Sequence, residues 1–353
     1  MARDEPPFGV DPRVRSRDGR RGPSRPRRRS SPGPHAARAL GLLAAIGLVG
    51  AGGIYVATSA GDPRAPRAAG AVATGSPLRS VAARRLAVRA ATRHVAVTAP
   101  AAIPANWTSV AQVYGHPAAW LEQRAGVALL RFDQSLVHLT LHAGSSDGGV
   151  VGWTYGDQIT PREIHLVLAA FNGGFKLTYG NVGFMSGGHV AVALKPGLAS
   201  LVTYTDGTSD IGAWESGVPS TRKTVFSVLQ NQQLLVDRGV AAATVVGCVT
   251  VCWGSTIQSL TVVARSGLGV TASGQLVWAA GEKLSPAGLA DALIAAGAVR
   301  AIELDINPDW VAGYLYVHHS SGPTAAPVVP GQLGIAGQLL APYSRDFIAV
   351  VAN

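Results

Sequence analysis

Between residues 106 and 353, short apolar or alternating runs are separated by Gly, Pro, Asp and Ser. "VALLRFD" (127–133) and "LVHLTLHAG" (136–144) predict two strands that pair across a short turn. "PREIHLVLAAFNGGF" (161–175) predicts a short helical turn at Pro161, then a buried strand stopping at an Asn-Gly-Gly turn. "HVAVAL" (189–194), "SLVTYT" (200–205), "TVFSVL" (224–229) and "QLLVD" (233–237) predict further strands. "IQSLTVVAR" (257–265), "GLGVTAS" (267–273) and "QLVWAA" (275–280) predict a meander. One segment has helical spacing. Ser285 suits the N-cap and Pro286 the first turn, while Leu289, Leu293 and Ile294 share a stripe that Gly297 ends. Many strands and few helices predict an α+β class with mixed, mostly antiparallel sheets.

The helix feeds into "AIELDIN" (301–307), where the alternation carries chemistry. Ile302, Leu304 and Ile306 occupy one strand face; Glu303, Asp305 and Asn307 occupy the other. Same-face neighbours lie about 6.6 Å apart at Cα. Two carboxylates at that spacing suit acid–base or nucleophilic work on a glycosidic bond, and their repulsion would raise one pKa. A divalent cation bound between Glu303 and Asp305 is a further expectation. A solvent-facing strand edge would make the same residues inert, but the strongly apolar flanks argue for a site.

Charge divides the chain. Residues 1–39 hold 11 Arg against 4 acids, and residues 61–95 hold 7 Arg against 1. The remainder has 12 Lys+Arg and 15 Asp+Glu, so the net charge of +10 belongs to the N-terminal segments. Those arginines sit among Pro, Gly, Ser and Ala without aromatic interleaving, which argues against nucleic-acid binding. Residues 39–61 form an uncharged run of 23 residues, enough to span about 30 Å of hydrocarbon as a helix. The preceding arginines predict a cytoplasmic N-terminus. The organisation expected is a basic disordered cytoplasmic tail (1–38), a membrane anchor (39–61), a flexible linker (62–105) and an extracytoplasmic domain (106–353). A cleaved signal peptide, with small residues at "ATSA" (57–60), is the alternative; the apolar run is longer than a signal core needs.

Four smaller features add to the picture. Asn172, Gly173 and Gly174 make a turn whose backbone N–H groups can approach a ligand, although Asn-Gly-Gly is also an ordinary turn. Arg265, at a predicted strand end before small residues, suits a phosphate or carboxylate clamp, or else is simply exposed. His318 and His319 read as surface or substrate-contact residues, since no second cluster supports a metal site. Cys248 and Cys252, the only cysteines, predict a disulfide that closes a surface loop. A straight strand would hold them about 13 Å apart, so a turn is required.

Three of these segments, in order, resemble the phosphodiester glycosidase family. Asn172-Gly173-Gly174-Phe175 matches its Asn-Gly-Gly-Phe turn, and Arg265-Ser266-Gly267 its Arg-Thr/Ser pair followed by Gly. Gly297-Ala298 and Leu304-Asp305 match its helix end and the start of its Leu-Asp-Gly-Gly-Gly-Ser segment. The similarity covers about residues 125–351. Ile306, Asn307, Pro308, Asp309 and Trp310 stand where the family has its Gly-rich turn. That departure removes N–H groups suited to an anion, because Pro308 has none. The resemblance implies a hydrolase acting on an envelope glycan or glycosyl phosphodiester. Asp305 and Glu303 would be catalytic, and Asn172, Gly173, Gly174, Arg265 and Asn307 would hold substrate. The rival reading is a non-catalytic glycan-binding or cell-wall module on the same fold.

Overall fold

A computed structural model describes residues 105–146 and 152–353. The tail, the apolar run and all but the last residue of the expected linker lie outside the described residues. Among the described residues, no helix is long and apolar enough to cross a membrane.

Four strands open the domain: β1 (Thr108–Val113), β2 (His116–Arg124), β3 (Val127–Phe132) and β4 (Val137–His142). Then come β5 (Val167–Asn172), β6 (Val182–Ser186), β7 (His189–Val192), β8 (Ala199–Tyr204) and β9 (Ser209–Ala213). β10 (Val225–Asn231), β11 (Leu234–Asp237) and β12 (Val240–Ala241) lead to a one-turn helix, α1 (Val249–Cys252). β13 (Val263–Thr271) and β14 (Leu276–Leu284) precede the longer helix α2 (Pro286–Ala295). β15 (Ala298–Glu303), β16 (Gly313–His319), β17 (Gly322–Pro327) and β18 (Phe347–Ala352) follow.

These strands build three sheets. The eight-stranded sheet runs β1-β2-β3-β14-β13-β15-β11-β12; two five-stranded sheets run β7-β6-β10-β8-β9 and β17-β16-β5-β18-β4. Every pairing between the named strands is antiparallel, so the mixed sheets expected from the sequence are replaced by uniform ones. One core joins all three sheets: Leu130, Leu268 and Trp278 from the first, Leu201 and Leu229 from the second, Phe171 and Ile348 from the third. Phe171 stacks between Trp278 at 5.1 Å and Phe132 at 6.3 Å.

α2 begins as its sequence dictates. The Ser285 hydroxyl accepts from the Gly288 N–H at 3.0 Å and Pro286 occupies the first turn. Leu289 and Leu293 bury against Val277, Ala279 and Ala301 of the large sheet.

Three local expectations are corrected. β3 and β4 do not pair with each other; β3 lies between β2 and β14, and β4 pairs with β18. The turn between them crosses from one sheet to another, held by Asp133, whose carboxylate accepts from the Ser135 N–H at 2.9 Å. The meander is a hairpin, because residues 263–271 are one continuous strand. Gly267 and Gly269 are packing positions, not turns. A Cβ on Gly267 would lie 3.0 Å from the Ile302 carbonyl and 3.2 Å from Leu293, and one on Gly269 would lie 2.6 Å from Ala298. The "AIELDIN" strand stops at Glu303. There Ser266 accepts from the Leu304 N–H and donates to the Asp305 carbonyl, setting two residues against one, as in a bulge.

Candidate functional site

The bulge breaks the alternation that would have put Glu303 and Asp305 side by side, and each finds its own arginine. Glu303 is fully buried, and its Oε1 accepts from Arg265 Nη1 at 2.6 Å. Arg265, equally buried, also donates to the Trp253 and Leu284 carbonyls. Arg265 therefore does not end its strand as an exposed clamp; its guanidinium is engaged inside the protein. Burial drives the Glu303 pKa up to about 8, against the opposing pull of Arg265.

Asp305 stands at the floor of a cleft of about 750 Å³. Its Oδ1 accepts from the N–H groups of Ile306 at 2.7 Å and Asn307 at 2.9 Å. Its Oδ2 accepts from Arg345 Nη2 at 3.0 Å. Arg345 is buried, donates to the Gly174 carbonyl at 2.8 Å, and packs 5.5 Å from the centroid of the Trp310 ring. Asp346 completes the support. Its carboxylate accepts from the Gly174 N–H at 2.8 Å, its carbonyl accepts from Gly173, and a Cβ on Gly173 would collide with it. Gly173 is thus required by close approach of Asp346.

Asn172 does not reach the cleft surface. Its Nδ2 donates to the Ser266 hydroxyl at 2.8 Å, and Ser266 in turn contacts the Asp305 backbone. The Asn172-Gly173-Gly174 turn and Ser266 form a layer beneath Asp305. Asn231 fixes the same bend from another side, donating to the Glu303 and Leu304 carbonyls at 2.9 and 2.7 Å.

Of the residues singled out from the sequence, Asp305 and Asn307 line the cleft, while Glu303, Arg265 and Asn172 do not. Asp309 is the cleft's second carboxylate, and Lys176 is the cationic side chain among its lining residues. Phe175, Tyr179, Val251, Leu260, Ile306 and Trp310 make much of its wall apolar. Each of the two carboxylates meets a guanidinium, Glu303 that of Arg265 and Asp305 that of Arg345. Among the described residues, no group of three or more His, Cys, Asp or Glu gathers as a metal site. His318 and His319 lie outside the cleft, bonded to the Val167 carbonyl and the Thr324 hydroxyl.

Cys248 and Cys252 are joined by a disulfide, their Cα atoms 5.4 Å apart across α1. The helical turn supplies the approach a strand would deny. The loop it closes places Thr250 and Val251 on the cleft wall.

Arg345, Asp346 and Asn231 escaped the sequence reading, and Ser266 and Trp310 entered it only through the family resemblance. "SRDFIAVVA" (344–352) carried a signal: an Arg-Asp pair directly before a wholly apolar strand.

No family model matches the chain, and no curated protein matches it in sequence. Among solved structures, it is similar to the zebrafish N-acetylglucosamine-1-phosphodiester alpha-N-acetylglucosaminidase catalytic domain auto-inhibited by its pro-peptide. Identity is 14%, the TM-score 0.41, and the match covers 66% of this chain and 78% of that one. A hypothetical protein from Synechocystis matches at 14% identity and TM-score 0.36, over 68% of this chain and 63% of that one. A putative exported protein from Burkholderia pseudomallei matches at 11% identity and TM-score 0.29, over 67% and 75%.

Proposed function

We propose that the chain is a membrane-anchored, extracytoplasmic hydrolase of phosphodiester glycosidase type, acting on an envelope glycan or glycosyl phosphodiester. The observation that carries this reading is Asp305, a carboxylate held at the floor of a large cleft by Arg345 and two backbone N–H groups. A carboxylate that lines a cleft can act as base or nucleophile toward a bound sugar. Asp309, exposed on the same cleft, is the second carboxylate available to such chemistry, in place of the buried Glu303. Asn172, Gly173 and Gly174 position Asp305 and Arg345 from beneath.

Residues 1–38 are assigned to the cytoplasm, 39–61 to the membrane and the remainder to the outside. The Cys248–Cys252 disulfide suits an oxidising compartment and supports that orientation. A cytoplasm-only reporter fused after Asn353 should stay silent; activity there would reject the orientation.

A glycan-binding module without turnover is the second reading. The three donors already engaged on Asp305 favour it, as does Pro308 in the adjoining turn. A hydrolysis screen with glycosyl-1-phosphodiesters and aryl glycosides separates the two. The enzyme reading expects turnover that Asp305→Asn removes; saturable glycan binding with no turnover would install the second reading.

A further inference from the structure

We infer that the cleft takes an amphiphile: an anionic head beside Lys176, and a long hydrocarbon chain along the wall formed by Val251 and Leu260. The hydrolase reading is used only to name the head as a glycosyl phosphate. Val251 is 83% exposed and Leu260 51%, and both line the cleft with Tyr179, itself 56% exposed. Val262, 54% exposed, precedes the lining residue Val263. A small polar sugar would leave this apolar surface wet. Aromatic rings suit the faces of sugars, but branched aliphatics offer no flat ring; they suit methylene groups. The disulfide makes this wall a fixed feature, since it closes the turn that presents Val251.

The polar end is equally defined. Lys176 lines the cleft and pairs with no carboxylate among the described residues, which leaves its charge for a phosphate. One charged end and one aliphatic wall in a single cleft match a glycosyl phosphodiester whose aglycone is a long alkyl or prenyl chain.

The test uses residues 105–353, which contain all three sheets and their shared core. Binding of octyl phosphate and methyl phosphate is measured by calorimetry below the micellar concentration. Each buried methylene contributes roughly fourfold in affinity, so octyl phosphate should bind at least about tenfold tighter even if most of its chain stays wet. Val251→Ser with Leu260→Ser should erase most of that gain and leave methyl phosphate unchanged. Lys176→Ala should weaken both ligands. Equal binding of the two phosphates, or a chain-length gain that survives the double substitution, would overturn the inference. A chain-length gain without hydrolysis of any glycosyl phosphodiester would leave the inference standing and remove the hydrolase reading. Hydrolysis with no chain-length gain would do the reverse.

Discussion

Glu303 and Asp305 are two residues apart, and each carboxylate meets one guanidinium, yet the pairs differ in kind. Glu303–Arg265 is sealed, with both side chains inaccessible and every described contact internal. Asp305–Arg345 lies at the bottom of an open cleft. The first can only hold the structure; the second can do so and still meet a ligand. One bulge at Ser266 separates the roles, since uninterrupted alternation would have aimed both acids the same way.

The sharpest break in this comparison is Asp305→Asn. If the cleft pair performs chemistry, turnover should fall by about 10²–10⁴, the usual worth of an acid–base group. Stability should fall by only about 1–3 kcal/mol, the cost of weakening hydrogen bonds to a buried charge, because Arg345 keeps the Gly174 carbonyl and Asp346 at 3.7 Å. Steady-state kinetics beside urea denaturation read both numbers.

The sealed pair should show the opposite balance. Glu303→Leu should cost about 3–5 kcal/mol in urea denaturation, since Arg265 cannot shed its proton and loses its acid partner. Arg265→Met should cost less, because Glu303 can remain protonated. Equal losses from the two single substitutions would contradict that asymmetry.

pH sharpens the same contrast with a third buried acid. Burial alone would raise the pKa of Glu163, but hydrogen bonds and charge from His142, with hydrogen bonds from Thr140 and Thr160, bring it down to about 2. A depressed folded pKa stabilises above the unfolded value of about 4.5 and loses that contribution as pH falls toward 2, a swing of about 3 kcal/mol. Glu303, raised, has the opposite sign: its contribution is complete below about 4.5 and is lost as pH rises through about 8. Urea midpoints against pH should lose their acid limb in Glu163→Gln and their alkaline limb in Glu303→Gln.

The smallest effect belongs to the disulfide. Cys248→Ser with Cys252→Ser closes no long loop and should lower stability by no more than about 2 kcal/mol. Its larger signature should be weaker octyl phosphate binding, because Val251 loses its fixed position.

Much of the strand framework was legible. Short apolar runs marked most strands, and Ser285-Pro286 marked the start of α2. Pairing was not, because partner choice is non-local: nothing in 127–144 says that β3 and β4 join different sheets. The break expected before Gly267 misled, because close packing against α2 and β15 needs the same residue as a turn. At the site, Asp305 and the Asn-Gly-Gly turn were visible as polar or small residues beside apolar runs. The bulge was not, since it arises from how Ser266 meets a strand almost 40 residues away. Arg345 was missed because its importance comes only from the neighbours that folding supplies.

The pairing of β18 has a temporal consequence. Phe347 lies opposite both His142 and Asn172, so the strand that fills the third sheet also carries Arg345 and Asp346 to Asp305 and the glycine turn. Its partners emerge from the ribosome roughly two hundred residues earlier and must wait beside an unfilled gap in their sheet. Such long-range closure is slow and leaves strand edges bare in the meantime. Arg345 therefore cannot reach Asp305 until that strand docks.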